Sequence, residues 1–96
     1  MSTINVHPGE ALREFMEDYS LSQSQLATEL RVPVRRINAV VRGERSITAD
    51  TAVRLARFFN NRADFWLGLQ ELYDINRTCE QLATELDKIH PVAVCA

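Results

Sequence analysis

Two short apolar periods separated by a proline constrain this chain more than any other feature. In LATELRVPVRRINAVVRG, residues 26–43, Leu26, Ala27 and Leu30 recur at helical spacing, Val32-Pro33 interrupts them, and Ile37, Val40 and Val41 resume the pattern. A proline disfavours helical geometry in the residue before it and is itself tolerated at the start of a helix. The stretch therefore predicts two helices of about two turns each, joined by a tight corner. Ser22-x-x-Gln25 reads as a capping box opening the first, which ends near Leu30. Gly43 is the expected stop of the second, predicted over residues 34–42.

The rest of the chain carries the same period. Alternating β-branched stretches are nearly absent and glycine and proline number three each, so the fold class is all-α. A first helix is expected from Pro8 to about Asp18, with Ala11, Leu12, Phe15 and Met16 inward and Glu10 favouring its N-terminus. A fourth starts at Thr48 as N-cap, carries Asp50 in its first turn, buries Ala52, Leu55, Ala56 and Phe59, and ends at Asn60-Asn61. A fifth, about Ala63 to Tyr73, spreads Phe65, Trp66, Leu69, Leu72 and Tyr73 over a face wider than one core stripe requires. Trp66, Leu69, Leu72 and Tyr73 are accordingly expected at a dimer interface. From Ile75 the apolar positions run Ile75, Cys79, Leu82, Leu86 and Ile89, an a/d seam of two heptads that stops at Pro91. That seam is open to two readings, packing on its own domain or pairing in a dimer. The organisation expected is one domain over 1–96, with a helix-turn-helix unit over 7–75 and a C-terminal helix and loose tail over 76–96.

A chain of 96 residues builds one small core, and 46% hydrophobic with 25% charged residues matches an ordinary globular protein. Small domains bury a smaller share of their surface than large ones, so self-association would help. No apolar run reaches the roughly 18 residues of a membrane span, and MSTINVHPGE lacks the layout of a signal peptide, so a cytoplasmic location is expected. Cys79, Cys95, His7 and His90 have no metal-ligand spacing, and neither a metal nor a cofactor is expected. The net charge of −2 hides a division into three. Residues 31–62 hold eight arginines against Glu44 and Asp50, a net +6, whereas residues 1–30 and 63–96 are each −4. A basic middle between acidic ends describes a patch for a polyanion.

Two short helices around a tight turn, the second basic, are how a helix-turn-helix lays a recognition helix in the major groove. If Ile37, Val40 and Val41 anchor that helix, a turn of about 100° per residue sends Val34, Arg35, Asn38, Ala39 and Arg42 outward. Arg35, near the helix N-terminus, is placed to read guanine through O6 and N7, and Val34 to pack on a thymine methyl. Ala39 keeps the helix close to the groove floor, while Asn38 is open either to pairing with adenine or to bonding its own helix. Arg36, Arg42 and Arg45 are expected on phosphates, as are Ser22 and Gln23 at the preceding helix N-terminus. A merely solvated face is the ordinary fate of helical arginines, and Arg54 and Arg57, outside the motif, are expected to be surface or salt-bridge residues.

HPGEALREFM, LSQSQLATELRVPVRRINAVVRGERSITADTAVRLARFF and FWLGLQELYD, in that order, resemble the HigA/VapI antitoxin branch of the phage-repressor-like (XRE) helix-turn-helix family over about residues 7–75. The resemblance implies a five-helix repressor-like domain with an additional C-terminal helix, acting as a homodimer on double-stranded operator DNA. It also implies repression of the chain's own operon and silencing of a HigB-like toxin that cleaves messenger RNA. By the same resemblance Val34, Arg35 and Ala39 face bases, and Ser22, Gln23 and Arg42 face phosphates. Two departures stand out. Arg31 occupies a turn position usually held by glycine, which places it in a left-handed conformation at a cost of about 1 kcal/mol. Arg62 and Ala63 replace a serine cap and a proline before the fifth helix.

Three function classes compete: a DNA-binding autorepressor and antitoxin, a stand-alone regulator without a toxin, and a protein-interaction module whose basic patch meets an acidic partner through Trp66, Leu69 and Tyr73. An enzyme is not expected, since no nucleophile-and-base set, glycine-rich phosphate loop or placed carboxylate pair stands out. A homodimer on DNA implies two copies of the reading helix about 34 Å apart, on half-sites one turn apart.

Overall fold

The computed structural model describes residues 5–93; Cys95 and the end of the tail lie outside them. Among the described residues the chain forms α1 (Pro8–Asp18), α2 (Gln23–Leu30), α3 (Val34–Val41), α4 (Ala49–Phe59), α5 (Ala63–Gln81) and α6 (Ala83–Leu86), with no strand. The all-α expectation holds.

Local chemistry sets most boundaries. His7 caps α1, its Nδ1 accepting the Gly9 N–H at 2.9 Å, with Pro8 at the first helical position. Ser22 and Gln25 form the reciprocal capping box of α2, at 3.1 and 2.8 Å. Arg31 closes α2 in the left-handed region at φ 61, ψ 45, as its replacement of a turn glycine predicted. Pro33 precedes α3, Thr48 accepts the Thr51 N–H at the start of α4, and Asn60 ends α4 in the left-handed region.

Leu12, Leu26, Ile37, Val40, Leu55 and Trp66 are fully buried and form the centre of one core. α1 crosses α3 closely: a Cβ on Gly9 would run into the Val40 carbonyl oxygen, so only glycine allows that approach.

Trp66 is a correction to the expected dimer surface. It is buried completely, its Nε1–H donates to Asn61 Oδ1 at 3.0 Å, and its ring packs 5.0 Å from Phe15, 5.1 Å from Phe65 and 5.9 Å from Phe59. Packing between α1, α4 and α5 turns it inward, where an indole gains from burial and from aromatic edges. Leu69 and Tyr73 are half-buried, and Leu72 remains well exposed.

α5 also runs past its expected end near Tyr73, continuing to Gln81 because nothing in residues 74–81 breaks a helix. The additional helix is a single short turn after a break at Leu82, where φ is −100 and ψ is 9. The seam does not pack on its own domain: Ile75, Leu82, Leu86 and Ile89 keep between 40 and 66% of their surface exposed. α5 begins without a side-chain cap; instead the Arg62 guanidinium forks onto Asp64 at 2.9 and 3.0 Å.

One carboxylate ties the helix-turn-helix to the body. Asp50 of α4 accepts from Arg36 of α3 at 2.8 Å and from Arg54 at 2.7 Å, and Arg54 also donates to the Leu30 carbonyl at the end of α2 at 2.8 Å. Hydrogen bonds from Arg54, then Arg36, hold the Asp50 carboxyl below its usual range. Its folded value being depressed, the stabilisation is complete above the unfolded value of about 4 and is lost as pH falls through the lower folded value. Thermal melts should therefore show Asp50→Asn less stable than the wild type at pH 7, with the gap closing below about pH 4. Arg31→Gly should raise stability by up to about 1 kcal/mol in urea unfolding, since glycine adopts the left-handed turn without strain.

Candidate nucleic-acid interface

The rotation of α3 decides what this surface can do. Ile37 and Val40 point into the core with no exposed surface, so the opposite side of an eight-residue helix carries Val34, Arg35, Asn38 and Ala39. Val34 and Arg35, in the first turn, are exposed; Asn38 and Ala39 are half-buried. Arg42 and Arg45 follow, both exposed, in the segment that leaves α3 through Gly43 at φ 77. Among the described residues Arg35 and Arg45 make no ion pair, and their guanidinium groups face solvent. Arg42 sits 3.9 Å from Glu44 with both side chains more than 60% exposed, a contact that water and salt screen almost completely.

Arg36 is set apart from the other arginines. It was expected on a phosphate, but its guanidinium is committed to Asp50 and only 23% of its side chain is exposed. Releasing it to a phosphate would break the tie between α3 and α4. Arg54 meets its expectation as a salt-bridge residue, and Arg57 is exposed.

Of the two roles left open for it, Asn38 shows the bond along its own helix, to Arg42, and adds a second one across to α2. Its Nδ2 donates to Gln23 Oε1 at 3.1 Å, across to the first residue of α2, and its Oδ1 lies 3.4 Å from Arg42 Nη1. Ser22, Gln23, Asn38 and Arg42 thus form a polar edge running from the N-terminus of α2 to the C-terminus of α3. Among the described residues the Gln23 side-chain N–H bonds and the backbone N–H groups of Gln23 and Ser24 make no hydrogen bond, which suits an anionic oxygen.

Two further residues position this surface, and the first of them escaped the sequence reading. Gln70 of α5 is buried, its Oε1 accepting the Ile47 N–H at 2.8 Å and its Nε2 donating to Asp74 at 3.0 Å. It pins the loop between α3 and α4, which carries Arg45, to the long helix. The available signal was a glutamine four residues after Trp66 and three before Tyr73, on the stripe that faces the core. His7 is the other: its ring stands edge-on to Tyr73 at 4.8 Å and beside Gly43, and burial lowers its pKa, which keeps Nδ1 available as the α1 cap.

Among the described residues no three His, Cys, Asp or Glu side chains stand together in a way that could hold a metal, and no helix is long and apolar enough to cross a membrane.

Known proteins share this arrangement. A helix-turn-helix family model matches residues 12–66, from α1 to Trp66. Virulence-associated protein I of Dichelobacter nodosus is 44% identical over 92 residues, which cover 95% of this chain and 84% of that protein. A HigA-family addiction module antidote protein from Coxiella burnetii superposes with a TM-score of 0.86 at 42% identity, over 93% of this chain and 99% of that one. The Pseudomonas aeruginosa antitoxin HigA, solved with the higBA promoter, gives a TM-score of 0.89 at 36% identity over 94% of this chain and all of its own. With its helix-turn-helix matched from the first helix to the buried tryptophan and its relatives aligned nearly end to end, the chain belongs to the XRE-type helix-turn-helix family, in the branch of the HigA and VapI-like proteins.

Proposed function

We propose that the chain is a sequence-specific DNA-binding autorepressor and the antitoxin of a type II toxin-antitoxin pair, neutralising a HigB-like mRNA-cleaving toxin. The observation that carries the DNA reading is Arg35, an exposed and unpaired guanidinium at the start of a helix whose other side is locked into the core. Val34 and Ala39 share its face and supply apolar contact to a groove floor. Ser22, Gln23, Arg42 and Arg45 flank that row at positions suited to phosphates. The antitoxin reading is supported by the family, including the Pseudomonas relative solved with a promoter.

DNA of this kind is read by a homodimer that sets two copies of α3 about 34 Å apart. The exposed Leu72 of α5, edged by Leu69 and Tyr73, is the surface for that contact.

Arg35→Ala should reduce discrimination at one base position of the operator by roughly 1–3 kcal/mol, whereas Arg42→Ala should weaken all sequences alike and lower the salt slope by about one. Anisotropy titrations on the chain's own upstream DNA and on single-base variants measure both; no preference over random duplex at moderate salt would end the DNA reading. For the toxin, the adjacent small reading frame should arrest growth when expressed alone, and co-expression of this chain should restore it. Operator binding without rescue would leave a stand-alone regulator.

A further inference from the structure

Two apolar surfaces lie outside the DNA-facing side of the molecule. The first is the strip Leu72, Ile75, Leu82, Leu86 and Ile89, all at least 40% exposed, on the arm made by the far half of α5, α6 and the few residues that follow it. The arm makes the molecule long, 55 Å against 26 and 22 Å in the other directions. It is also acidic: residues 71–89 carry Glu71, Asp74, Glu80, Glu85 and Asp87 against Arg77 and Lys88, a net −3.

The second is a groove between the end of α2 and α4. Leu30, Val53 and Phe58 line it, and Val53 is 58% exposed although it belongs to a helix that otherwise serves the core. Its charged rim is Arg31, Arg54 and Arg57 against Glu29. Arg54 is held by Asp50 and the Leu30 carbonyl, whereas Arg31 and Arg57 make no ion pair among the described residues.

Charge decides how these surfaces can be covered. Laying one arm along a second copy's arm buries the strips but sets a net −3 against a net −3, and like charges side by side are destabilising. Laying the arm in the groove sets acids against arginines and leucines against leucine, valine and phenylalanine. Reach agrees with this choice. In an antiparallel contact of two α5 helices centred on Leu72, ten residues advance about 15 Å along the axis. That brings Leu82 of one copy level with Arg62 of the other, just past the C-terminal end of α4 where the groove lies.

We propose that in the homodimer the terminal segment of each protomer, residues 82–89, docks in the α2–α4 groove of its partner, with Leu86 and Ile89 against the apolar floor and Glu85 and Asp87 facing Arg31 and Arg57. The inference rests on the homodimer of the proposed function and names a second contact surface for it. The arms exchange reciprocally, so each reading head is gripped behind its helix-turn-helix by the other copy.

A charge swap tests this in full-length protein. One variant carries Arg31→Glu and Arg57→Glu, the other Glu85→Arg and Asp87→Arg. Each alone opposes like charges at the contact and should dimerise about tenfold more weakly than the wild type in sedimentation equilibrium at low salt, since several rim pairs turn from attractive to repulsive. Mixed in equal amounts, the two should restore wild-type affinity as a heterodimer, because each arm then meets a groove of opposite sign. Circular dichroism checks that the variants fold, and the single pair Arg57→Glu with Glu85→Arg repeats the swap should Arg31→Glu disturb the turn. An arm variant that dimerises as well as the wild type, or a mixture no tighter than its components, overturns the docking. A monomeric wild type overturns it together with the homodimer, while titrations of Arg35→Ala on a single half-site still judge the DNA reading.

Discussion

The burial of Ile37 and Val40 fixes the roll of α3, and every assignment on the DNA-facing surface depends on that angle. A rotation of one residue, about 100°, would carry Arg35 towards the core and a valine towards the groove. Two contacts oppose such a roll. Gly9 lets α1 lie directly against the Val40 carbonyl, and the Arg36–Asp50 pair holds the flank of α3 to α4. The apolar anchor supplies most of the stabilisation, since a fully buried aliphatic side chain is worth roughly 1.5–3 kcal/mol while a partly exposed ion pair contributes far less.

The arginines of the basic middle separate according to that geometry. Arg36 and Arg54 converge on one carboxylate and stabilise the protein itself; Arg35, Arg42 and Arg45 keep their charge turned outward. Asp50 performs this division. Its one negative charge offsets one of the two guanidinium charges and holds both groups in place, which leaves the arginines without a close partner at the start of α3 and in the loop after it.

α5 connects this surface to the rest of the molecule. Its Gln70 accepts from the otherwise unpaired Ile47 N–H; leaving that buried amide unsatisfied would cost about 1–3 kcal/mol. Its Tyr73 meets His7, the cap of α1, while its outer face carries exposed Leu72. One helix therefore positions the loop that bears Arg45 and also presents exposed Leu72, the surface proposed above for contact with a second copy.

The sequence by itself determined what rests on near neighbours along the chain. The Ser22–Gln25 capping box, the break at Pro33 and the outward row on α3 all follow from interactions within about one helical turn, which residue order encodes directly, whereas the left-handed Arg31 was implied by the family resemblance. Only the tertiary structure decided what depends on pairs far apart in sequence. Arg36 meets Asp50 across 14 positions, Asn38 meets Gln23 across 15, and Gln70 meets Ile47 across 23. Trp66 belongs to the same group: its aromatic face fits a core or an interface equally well by periodicity, and the packing of α1 and α4 around α5 sent it inside. Helical period fixes which residues share a face, but which face meets which is set by how whole helices cross, and that information resides in no single stretch of the chain.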